Sequence, residues 1–291
     1  MEKNKILIFG YGYCAKALIK KFENKKSKIL VVSRNLQNID QLNKQGIKSC
    51  DWSQKEDVID FINKSNTILI TAPPNNFLDP VASKYSKYFS HTGKKIRLIY
   101  LSSTSVYGDH KGEWVNENSK LHAKSELGKC RLKVETKWIS FAKLNHLSIL
   151  VLRLSGIYGP GRSAFDRIYN KSFKIVKSPN ILFSRIHIDD ITSIIKKFIE
   201  NENLKGIYNL SDNMPATSEA IYLEAFRLLK LKPPTSKNLD ELNLSKTAMG
   251  FFSESKKVSN KKLLNNLNYE LIYPDYFSGL EDIFKKLKLK I

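Results

Sequence analysis

Residues 5–15, KILIFGYGYCA, decide how the rest of the chain is arranged. The apolar run 6–9 is short and uniform, which is typical of a strand buried on both faces. Gly10, Gly12 and Ala15 follow with the spacing G-x-G-x-x-A, and apolar residues then recur at helical spacing. A strand, a glycine turn and a helix in this order predict a dinucleotide-binding unit, whereas the glycine spacing alone indicates only a turn.

Each small residue of this turn has a physical role in such a unit. Gly10 permits the tight turn, Gly12 lets the backbone approach a pyrophosphate, and Ala15 lets the helix pack closely against the strand. We expect the helix to begin near Tyr13 and Cys14, and a helix N-terminus carries N–H groups and a partial positive charge that favour an anion. We therefore expect this turn to bind the phosphates of a cofactor.

The composition is that of a soluble globular chain, with 291 residues of which 42% are hydrophobic and 26% are charged. This length suits one large domain or two modest ones. The three cysteines are far apart and form neither a metal-binding spacing nor an even disulfide framework, which favours a cytoplasmic location. No apolar stretch approaches membrane-spanning length, and the N-terminal apolar run breaks at Gly10, so we interpret it as a strand and expect no membrane partner.

The formal net charge of +21 raises the question of a nucleic-acid partner. Only 8 of the 49 basic residues are arginines, and the lysines are scattered along the chain. This distribution indicates a compositional bias and a solvated lysine surface, and not a basic stripe. We therefore expect no nucleic-acid partner.

The second predicted strand, 28–32, leads into Ser33 and Arg34. In an NAD-binding unit an acidic residue near this point accepts a hydrogen bond from the ribose 2′-hydroxyl. Here a hydroxyl and a guanidinium stand instead, and an arginine binds a 2′-phosphate through two charge-assisted hydrogen bonds. The sequence therefore favours NADP(H), with NAD(H) as the second candidate; the alternative interpretation is a surface arginine in a strand-to-helix loop.

Strands and helices alternate through the first hundred residues. Further strands are predicted at 47–50, 67–71 and 97–101, which argues for right-handed crossovers and a parallel sheet. Ligands of such sheets bind at the carboxyl ends of the strands. The cofactor candidates at these ends are Asp51, Trp52, Thr71, Ala72, Pro73 and Ser102.

Polar residues mark the starts of several predicted helices. Asp79 is the expected N-cap, with Pro80 in the first position, of a helix that reaches residue 90. Thr217 or Ser218 is the expected cap of another helix. A final amphipathic helix over 276–290 has its apolar residues on one face, namely Phe277, Leu280, Ile283, Phe284 and Leu287.

Five segments resemble one family. The segment YLSSTSVYG (100–108) resembles the serine motif of the extended short-chain dehydrogenase/reductase superfamily, in its NAD(P)-dependent epimerase/dehydratase group. Four later segments resemble motifs of the same group in the same order, the last of them being similar to its atypical members: LRLSGIYGPGR (152–162), RIHIDDI (185–191), GIYNL (Gly206–Leu210), and VSNKKL (258–263) with Tyr269 and Tyr273-Pro274.

The resemblance implies a doubly wound parallel sheet, a Rossmann fold, with a smaller interleaved C-terminal α/β substrate domain. The expected boundaries are 1–155 for the dinucleotide-binding domain and 156–291 for the substrate domain, with about 185–212 returning to the first. The resemblance further implies a reduction, epimerisation or dehydration of a small polar, sugar-like substrate. The substrate candidates are Ser103, which would bind a substrate oxygen, Thr104, Arg162 and His187.

The chain departs from the superfamily at its catalytic Tyr-x-x-x-Lys motif. The matching residues are Leu127 and Arg131. Leucine transfers no proton, and an arginine stays charged and cannot act as a base. We expect Arg131 to hold a ribose or an anionic substrate group, while Leu127 is interpreted structurally as core filling on the apolar row of its helix.

Any proton transfer therefore needs another donor. The candidates are Tyr107, Tyr158 and His187, each with an alternative interpretation as a packed core residue. His187, Asp189 and Asp190 are read as a strand end and a helix start with an aspartate cap, and no metal is expected.

Two functions follow from these observations. The first is an NADP(H)-dependent enzyme of the epimerase/dehydratase type, in which Ser103, Tyr107, Arg131 and Tyr158 are the catalytic candidates. The second is a non-catalytic NADP(H)-binding redox sensor or regulator, which the replacement by Leu127 favours. A monomer or a homodimer is expected in either case.

Overall fold

The computed structural model describes residues 5–90, 95–243 and 245–288. The strands within these ranges are β1 Lys5–Phe9, β2 Ile29–Ser33, β3 Lys48–Asp51, β4 Ser65–Ile70, β5 Arg97–Ser103, β6 Trp114–Val115, β7 Ser148–Leu154, β8 Gly156–Tyr158, β9 Val176–Lys177, β10 Arg185–His187, β11 Gly206–Leu210, β12 Lys237–Asn238 and β13 Lys257–Val258. The α-helices are α1 Tyr13–Lys20, α2 Leu36–Lys44, α3 Lys55–Lys64, α4 Pro80–Tyr85, α5 Glu126–Leu144, α6 Ala164–Tyr169, α7 Ile188–Glu200, α8 Ser218–Leu229, α9 Lys246–Phe252, α10 Lys261–Leu267 and α11 Tyr276–Lys288. Short 3₁₀ turns occupy Glu23–Lys28, Ser86–Tyr88, Thr104–Tyr107 and Leu239–Glu241.

Seven strands form the central sheet, in the order β11-β7-β5-β4-β1-β2-β3. The pairs on either side of β1 are parallel, and Phe9 at its end lies opposite Val32 of β2 and Ile70 of β4. The strand order reverses between β1 and β4, which is the position where such sheets bind ligands beyond their carboxyl ends. The predicted doubly wound α/β fold is therefore confirmed, and β11 joins this sheet as the sequence predicted.

The first strand is buried on both faces. Leu7, Ile8 and Phe9 are at most 1% exposed, which explains the uniform apolar run. On one side Phe9 stacks on Tyr85 with ring centroids 5.8 Å apart. This face continues into a large apolar core with Trp138 of α5.

The chain divides into two compact units. Unit 1 comprises Met1–Ser103, Lys129–Arg153 and Thr192–Tyr208, and unit 2 comprises Thr104–Gly128, Leu154–Ile191 and Asn209–Ile291. The core of unit 2 is built on Phe165, Phe226, Leu280 and Ile283, which come from α6, α8 and α11. Its strands form three two-stranded parallel pairs, β8 with β10, β9 with β12 and β6 with β13.

Two of the predicted helix starts are confirmed. The Asp79 carboxylate accepts from the N–H groups of Val81 and Ala82, with Pro80 in the first turn. Thr217 accepts from the N–H of Ala220 at the start of α8. The predicted helix over 79–90 is shorter, because α4 ends at Tyr85 and continues as a 3₁₀ turn.

The final helix keeps its predicted apolar face only in part. Leu280 and Ile283 are buried, but Phe277 is 43% exposed, so it does not belong to that face. The structure gives α11 as Tyr276–Lys288, and the predicted end at residue 290 lies outside the described residues. Among the described helices, none has the length and apolar character that a membrane crossing needs.

Candidate functional site

The glycine turn after β1 is closely packed on one side. Gly10 has φ +99°, and a Cβ there would lie 2.8 Å from Thr71 Oγ1 and 3.1 Å from the backbone nitrogen of Ala72. Thr71 in turn donates to the carbonyls of Phe9 and Gly10, over 3.1 Å and 3.2 Å. Both the backbone conformation and the close approach therefore require a glycine at position 10.

The other side of the turn is open. Gly12 is the N-cap residue of α1, which has no side-chain cap, and a Cβ at Gly12 would meet no atom within 4 Å. Its small size therefore serves no contact with the described part of the chain. Tyr13 and Cys14 begin the helix, and Ala15 is fully buried beneath it. The N-terminus of α1, which has no side-chain cap, and the space above Gly12 suit a pyrophosphate.

The loop after β2 presents Arg34 to solvent. On one side, Ser33 Oγ accepts from the N–H of Asn35 over 3.2 Å. On the other, Asn35 Oδ1 accepts from the N–H of Asn38 over 3.0 Å and caps α2. Both neighbours of Arg34 are thus bonded to the local backbone, and the guanidinium projects from a fixed loop.

The end of β3 is also ordered by local hydrogen bonds. Asp51 lies opposite Ser33 in the strand register, and its carboxylate accepts from the N–H of Ser53 over 2.8 Å. Hydrogen bonds from Ser53 hold the pKa of Asp51 below its usual value. Trp52 packs edge-on against Tyr85, with ring centroids 4.9 Å apart, and its carbonyl accepts from the Tyr85 hydroxyl over 2.5 Å. Trp52 is therefore held against the core beside the predicted site.

Beyond the carboxyl end of β4, the predicted cofactor residues Ala72 and Pro73 follow Thr71. Ala72 is half-buried, and its N–H donates to the carbonyl of Phe9 over 3.1 Å. Pro73 is exposed. Of the cofactor candidates, Thr71 and Ala72 therefore lie against Gly10 at the turn.

The hydroxyl of Ser102 is bonded inside unit 1. It donates to Glu135 Oε2 over 2.6 Å, and the same carboxylate accepts from Arg153 over 2.6 Å. Ser102 is 4% exposed and its hydroxyl is bonded to Glu135, so its role as a direct cofactor contact stays a prediction. Glu135 and Arg153 were not predicted from the sequence; the signal was a carboxylate one helical turn after Arg131, amid an apolar row.

Ser103 and Thr104 follow at the end of β5. Ser103 is half-buried, as expected for the last residue of a strand that reaches a site. Thr104 is 8% exposed, and its hydroxyl donates to the carbonyl of Leu154 over 3.4 Å. Ser103 therefore remains the better placed of the two for a substrate.

The two replaced motif residues have different surroundings. Leu127 is 56% exposed, so the interpretation as core filling is wrong. Arg131 is half-buried, and its Nη1 donates to the carbonyl of Leu101 over 3.1 Å and reaches the Tyr100 hydroxyl at 3.5 Å. In unit 2, a Cβ at Gly128 would lie 2.7 Å from the carbonyl oxygen of Ser105, so this close approach fixes the start of α5.

The two tyrosines predicted as proton donors are both buried. Tyr107 donates to Asn209 Oδ1 over 2.7 Å. Tyr158 donates to the carbonyl of Asp275 over 3.3 Å, and burial raises the pKa of its phenol far above the usual value. Both hydroxyls are bonded within unit 2, and their assignment as proton donors stays a prediction.

His187, the third candidate proton donor, is buried as well. It is fully buried, and its Nδ1 accepts from the N–H of Asp189 over 3.2 Å. The ring packs on Tyr273 with centroids 4.1 Å apart, and burial lowers its pKa to about 4. The imidazole is neutral near pH 7 and accepts a hydrogen bond at the start of α7, and its contact with substrate stays a prediction.

The acidic residues beside His187 also have local partners. Asp190 accepts from the Tyr269 hydroxyl over 2.9 Å and from the N–H of Ile272 over 2.8 Å, so it tethers the segment before α11 and is not the predicted cap. The possible metal-ligand atoms of His187, Asp189 and Asp282 lie close enough to one another to hold one metal ion. The Lys286 ammonium lies 2.7 Å from Asp282 and 3.5 Å from Asp189, and it neutralises these carboxylates.

The last predicted site residue, Arg162, lies in a turn. Its backbone N–H donates to the carbonyl of Gly159 over 3.0 Å, and Arg162 itself is exposed. It belongs to unit 2, whereas Ser103 and Arg131 belong to unit 1.

Comparisons with known proteins agree with this architecture. The sequence profile described as "NAD dependent epimerase/dehydratase family" matches residues 6–211. The chain is 29% identical to the ADP-L-glycero-D-manno-heptose-6-epimerase of Brachyspira hyodysenteriae, over 70% of this chain and 74% of that protein.

Solved structures extend the likeness to nearly the whole chain. A conserved protein of unknown function from Silicibacter pomeroyi matches with a TM-score of 0.87 and 29% identity, covering 98% of this chain and 100% of that one. The human epimerase family protein SDR39U1, solved with NADPH, matches with a TM-score of 0.72 and 16% identity, covering 96% and 99%. The parallel sheet, the glycine turn and the profile match together show that the chain belongs to the NAD dependent epimerase/dehydratase family.

Proposed function

We propose that this protein binds NADP(H) at the turn between β1 and α1. The observation that carries the proposal is made at Gly12. It is the N-cap residue of a helix that has no side-chain cap, and open space lies where a side chain would stand. Gly10 brings the end of β1 against Thr71 and Ala72 and thereby shapes the turn. The N–H groups at the start of α1 would hold the pyrophosphate.

Arg34 supports a preference for NADP(H) over NAD(H). Arg34 is exposed at the end of β2, and the side chains of its two neighbours accept hydrogen bonds from backbone N–H groups of the same loop. A guanidinium in this position suits a 2′-phosphate, because it offers two parallel donors. The human epimerase family protein SDR39U1, solved with NADPH, supports this proposal.

We further propose an oxidoreductase or epimerase-like reaction on a small polar, sugar-like substrate. Membership of the family and the similarity to a heptose epimerase support this substrate class. The bound nicotinamide supplies or accepts a hydride. Ser103 orients a substrate oxygen at the end of β5, and Arg131, held on the Leu101 carbonyl, binds a ribose or an anionic substrate group.

The alternative is a non-catalytic NADP(H)-binding redox sensor or regulator. Leu127 favours this alternative because it is exposed where the family has its catalytic tyrosine, and it moves no proton. The burial of Tyr107, Tyr158 and His187 also favours it, since each of the other donors considered is bonded or packed within unit 2.

Two measurements on the purified protein separate these functions. Thermal unfolding with NADPH, with NADH and without ligand tests the binding, since a ligand at a hundred times its dissociation constant stabilises the native state by about 2.7 kcal/mol. Incubation with NADPH or NADP⁺ and a panel of nucleotide sugars then tests turnover. Binding with turnover supports the enzyme, binding without turnover supports the sensor, and no shift with either nucleotide contradicts both.

The remaining expectations concern partners and location. We propose a small-molecule substrate, no nucleic-acid or membrane partner, a monomer or homodimer, and a cytoplasmic location. The scattered lysines support the absence of nucleic acid, because a binding face concentrates its charge. Sedimentation velocity tests the oligomeric state. A binding titration with duplex DNA at low and high salt tests the absence of a nucleic-acid partner, and a complex whose affinity falls steeply with salt contradicts that absence.

A further inference from the structure

Three polar side chains of unit 1 form a buried network. Ser102 Oγ donates to Glu135 Oε2 over 2.6 Å. Arg153 donates to the Glu135 carboxylate over 2.6 Å from Nη2 and 3.1 Å from Nε. The exposed fractions of Ser102, Glu135 and Arg153 are 4%, 1% and 2%. None of the three faces solvent, so the network acts on a ligand only through its neighbours.

Stability alone is a weak reason for such a network. Removing a carboxylate and a guanidinium from water costs about as much as their attraction returns, and apolar side chains of similar volume often serve a core equally well. A fully bonded polar network has a different effect. It favours one arrangement of the elements that carry it, because a shift leaves a buried charge unpaired.

The network joins three elements at the candidate site. Ser102 directly precedes Ser103 on β5, and Arg153 is the last residue but one of β7. Glu135 lies on α5 one turn after Arg131, and residues four positions apart share a helix face. The buried carboxylate is therefore bonded to both strand ends from the helix that carries Arg131.

The same helix makes a second contact with β5. Arg131 donates to the carbonyl of Leu101, the residue before Ser102. Two consecutive residues of β5 thus bind two residues of α5 that are one turn apart. If Glu135 lost its partners, the hydrogen bonds described above between the end of β5 and α5 would be reduced to those of Arg131, beside the apolar packing of the two elements.

We propose that Glu135 is a positioning residue of the cofactor site. Through its hydrogen bonds with Ser102 and Arg153, Glu135 fixes the position of the end of β5 relative to α5. It thereby keeps the Arg131 guanidinium on the Leu101 carbonyl, in the position from which it would bind the cofactor ribose. This inference rests on the proposed NADP(H) site and adds a residue that touches no ligand itself.

The test replaces both charges at once, so that no buried charge is left unpaired. The double variant Glu135→Met with Arg153→Met is expected to fold with a melting temperature near that of the wild type. Its dissociation constant for NADPH, measured by isothermal titration, is expected to rise about tenfold, which corresponds to one hydrogen bond to a charged group.

Arg97 provides a matched control. It is a second buried arginine of unit 1, at the opposite end of β5, and it donates to the carbonyls of Phe198 and Leu204. Arg97→Lys disturbs a buried arginine without touching the carboxyl end of the strand. It is expected to lower the melting temperature while leaving the affinity for NADPH unchanged.

Hydrogen exchange gives a readout that needs no cofactor. Without ligand, the amides of 100–103 and 129–135 are expected to exchange faster in the double variant than in the wild type or Arg97→Lys. Ser102→Ala, which removes a single hydroxyl, is expected to change exchange and affinity in the same direction, and it serves if the double variant fails to fold.

The outcomes separate this inference from the proposed function. Wild-type exchange at 100–103 in either folded variant overturns the positioning role, and so does wild-type affinity for NADPH. A wild-type protein that binds neither NADPH nor NADH overturns the proposed function, and the proposed aim of Arg131 at a ribose fails with it. In that case the exchange measurement still decides whether Glu135 holds the strand and helix in register.

Discussion

The ring of Tyr158 occupies the space that a side chain at Gly279 would need. A Cβ on Gly279 of α11 would collide with the Tyr158 hydroxyl and would lie 2.7 Å from ring carbon Cε2. The hydroxyl donates to the carbonyl of Asp275, just before the same helix. Tyr158 is therefore a packing partner of α11, which explains why it is buried.

This relationship predicts the effect of enlarging Gly279. Gly279→Ala is expected to lower the free energy of unfolding by about 1–3 kcal/mol, because the added methyl group overpacks a closed contact. Urea unfolding measures the loss. Combining Gly279→Ala with Tyr158→Leu should recover part of it, since the smaller side chain vacates the space; equal losses in the single and double variants would contradict the proposed contact.

Substitution of the two glycines of the turn should have different effects on stability and on NADPH binding. Gly10→Ala is expected to cost at least about 2 kcal/mol of stability, because of its positive φ and the close approach of Thr71. Gly12→Ala should cost about 1 kcal/mol or less, the effect of a poorer N-cap residue, and yet weaken NADPH binding. Thermal unfolding with and without NADPH compares them. A Gly12→Ala variant that binds NADPH as tightly as the wild type would remove the main support for the cofactor site.

Arg34 should discriminate between the two nicotinamide cofactors. Arg34→Ala is expected to weaken NADPH binding by roughly 1.5–3 kcal/mol, the size of a hydrogen bond between charged groups, and to leave NADH binding nearly unchanged. Lys44→Ala is the control, because it removes a positive charge from the other end of α2. Isothermal titration with both nucleotides measures the effects. Equal losses for NADPH and NADH would sink the assignment of Arg34 to the 2′-phosphate.

The missing proton donor can be restored on this backbone. Leu127 is exposed, so Leu127→Tyr is expected to change the free energy of unfolding by only about 0.5 kcal/mol. Together with Arg131→Lys it rebuilds the family motif, and a gain of turnover on a nucleotide sugar that the parent ignores would identify Leu127 as the defect. Leu127→Phe with Arg131→Lys is the control without a phenol. Equal activity of the two double variants would exclude proton transfer as the missing function.

The lowered pKa of the buried His187 predicts that the protein loses stability in acid. An imidazole in the unfolded chain titrates near pH 6.5, whereas burial lowers the pKa of His187 in the folded chain to about 4. As the pH falls from about 6.5 to 4, the unfolded chain binds a proton that the folded chain does not. Stability therefore decreases over this window, by up to about 3 kcal/mol.

Urea unfolding at several pH values tests this prediction. The comparison is with His187→Asn, which is still able to accept from the N–H of Asp189 at the start of α7. This variant should be less stable at pH 7, because the packing on Tyr273 is lost, but its stability should depend less on pH below 6.5. Parallel curves for the wild type and the variant would show that His187 does not carry the acid effect.

The fold was predictable because its signals are local. The buried run of β1, the glycine turn and the spacing of α1 depend on sterics and hydrogen bonds within about fifteen residues, so their meaning survives without knowledge of the rest. The cap at Asp79 was predictable for the same reason. The family motifs, met in order along the chain, extended the prediction to β11 and the sheet.

Whether each site side chain is exposed or buried could not be predicted from such local signals. Tyr107 is bonded to Asn209, 102 residues away, and Tyr158 to Asp275, 117 residues away. Leu127 continues an apolar row in the sequence, but in the structure it faces solvent. Such facts depend on which distant segment covers a residue, and no spacing rule contains that information.

The sequence by itself thus determined the parallel α/β architecture, the position of the glycine turn, and the loss of the family's tyrosine and lysine. Only the tertiary structure decided that Ser102 belongs to a buried pair with Glu135, that the substitute proton donors are buried, and that Gly12 has open space above it. The physical reason is that backbone conformation is set largely by neighbours in sequence. Burial and hydrogen-bond partners are set by long-range packing.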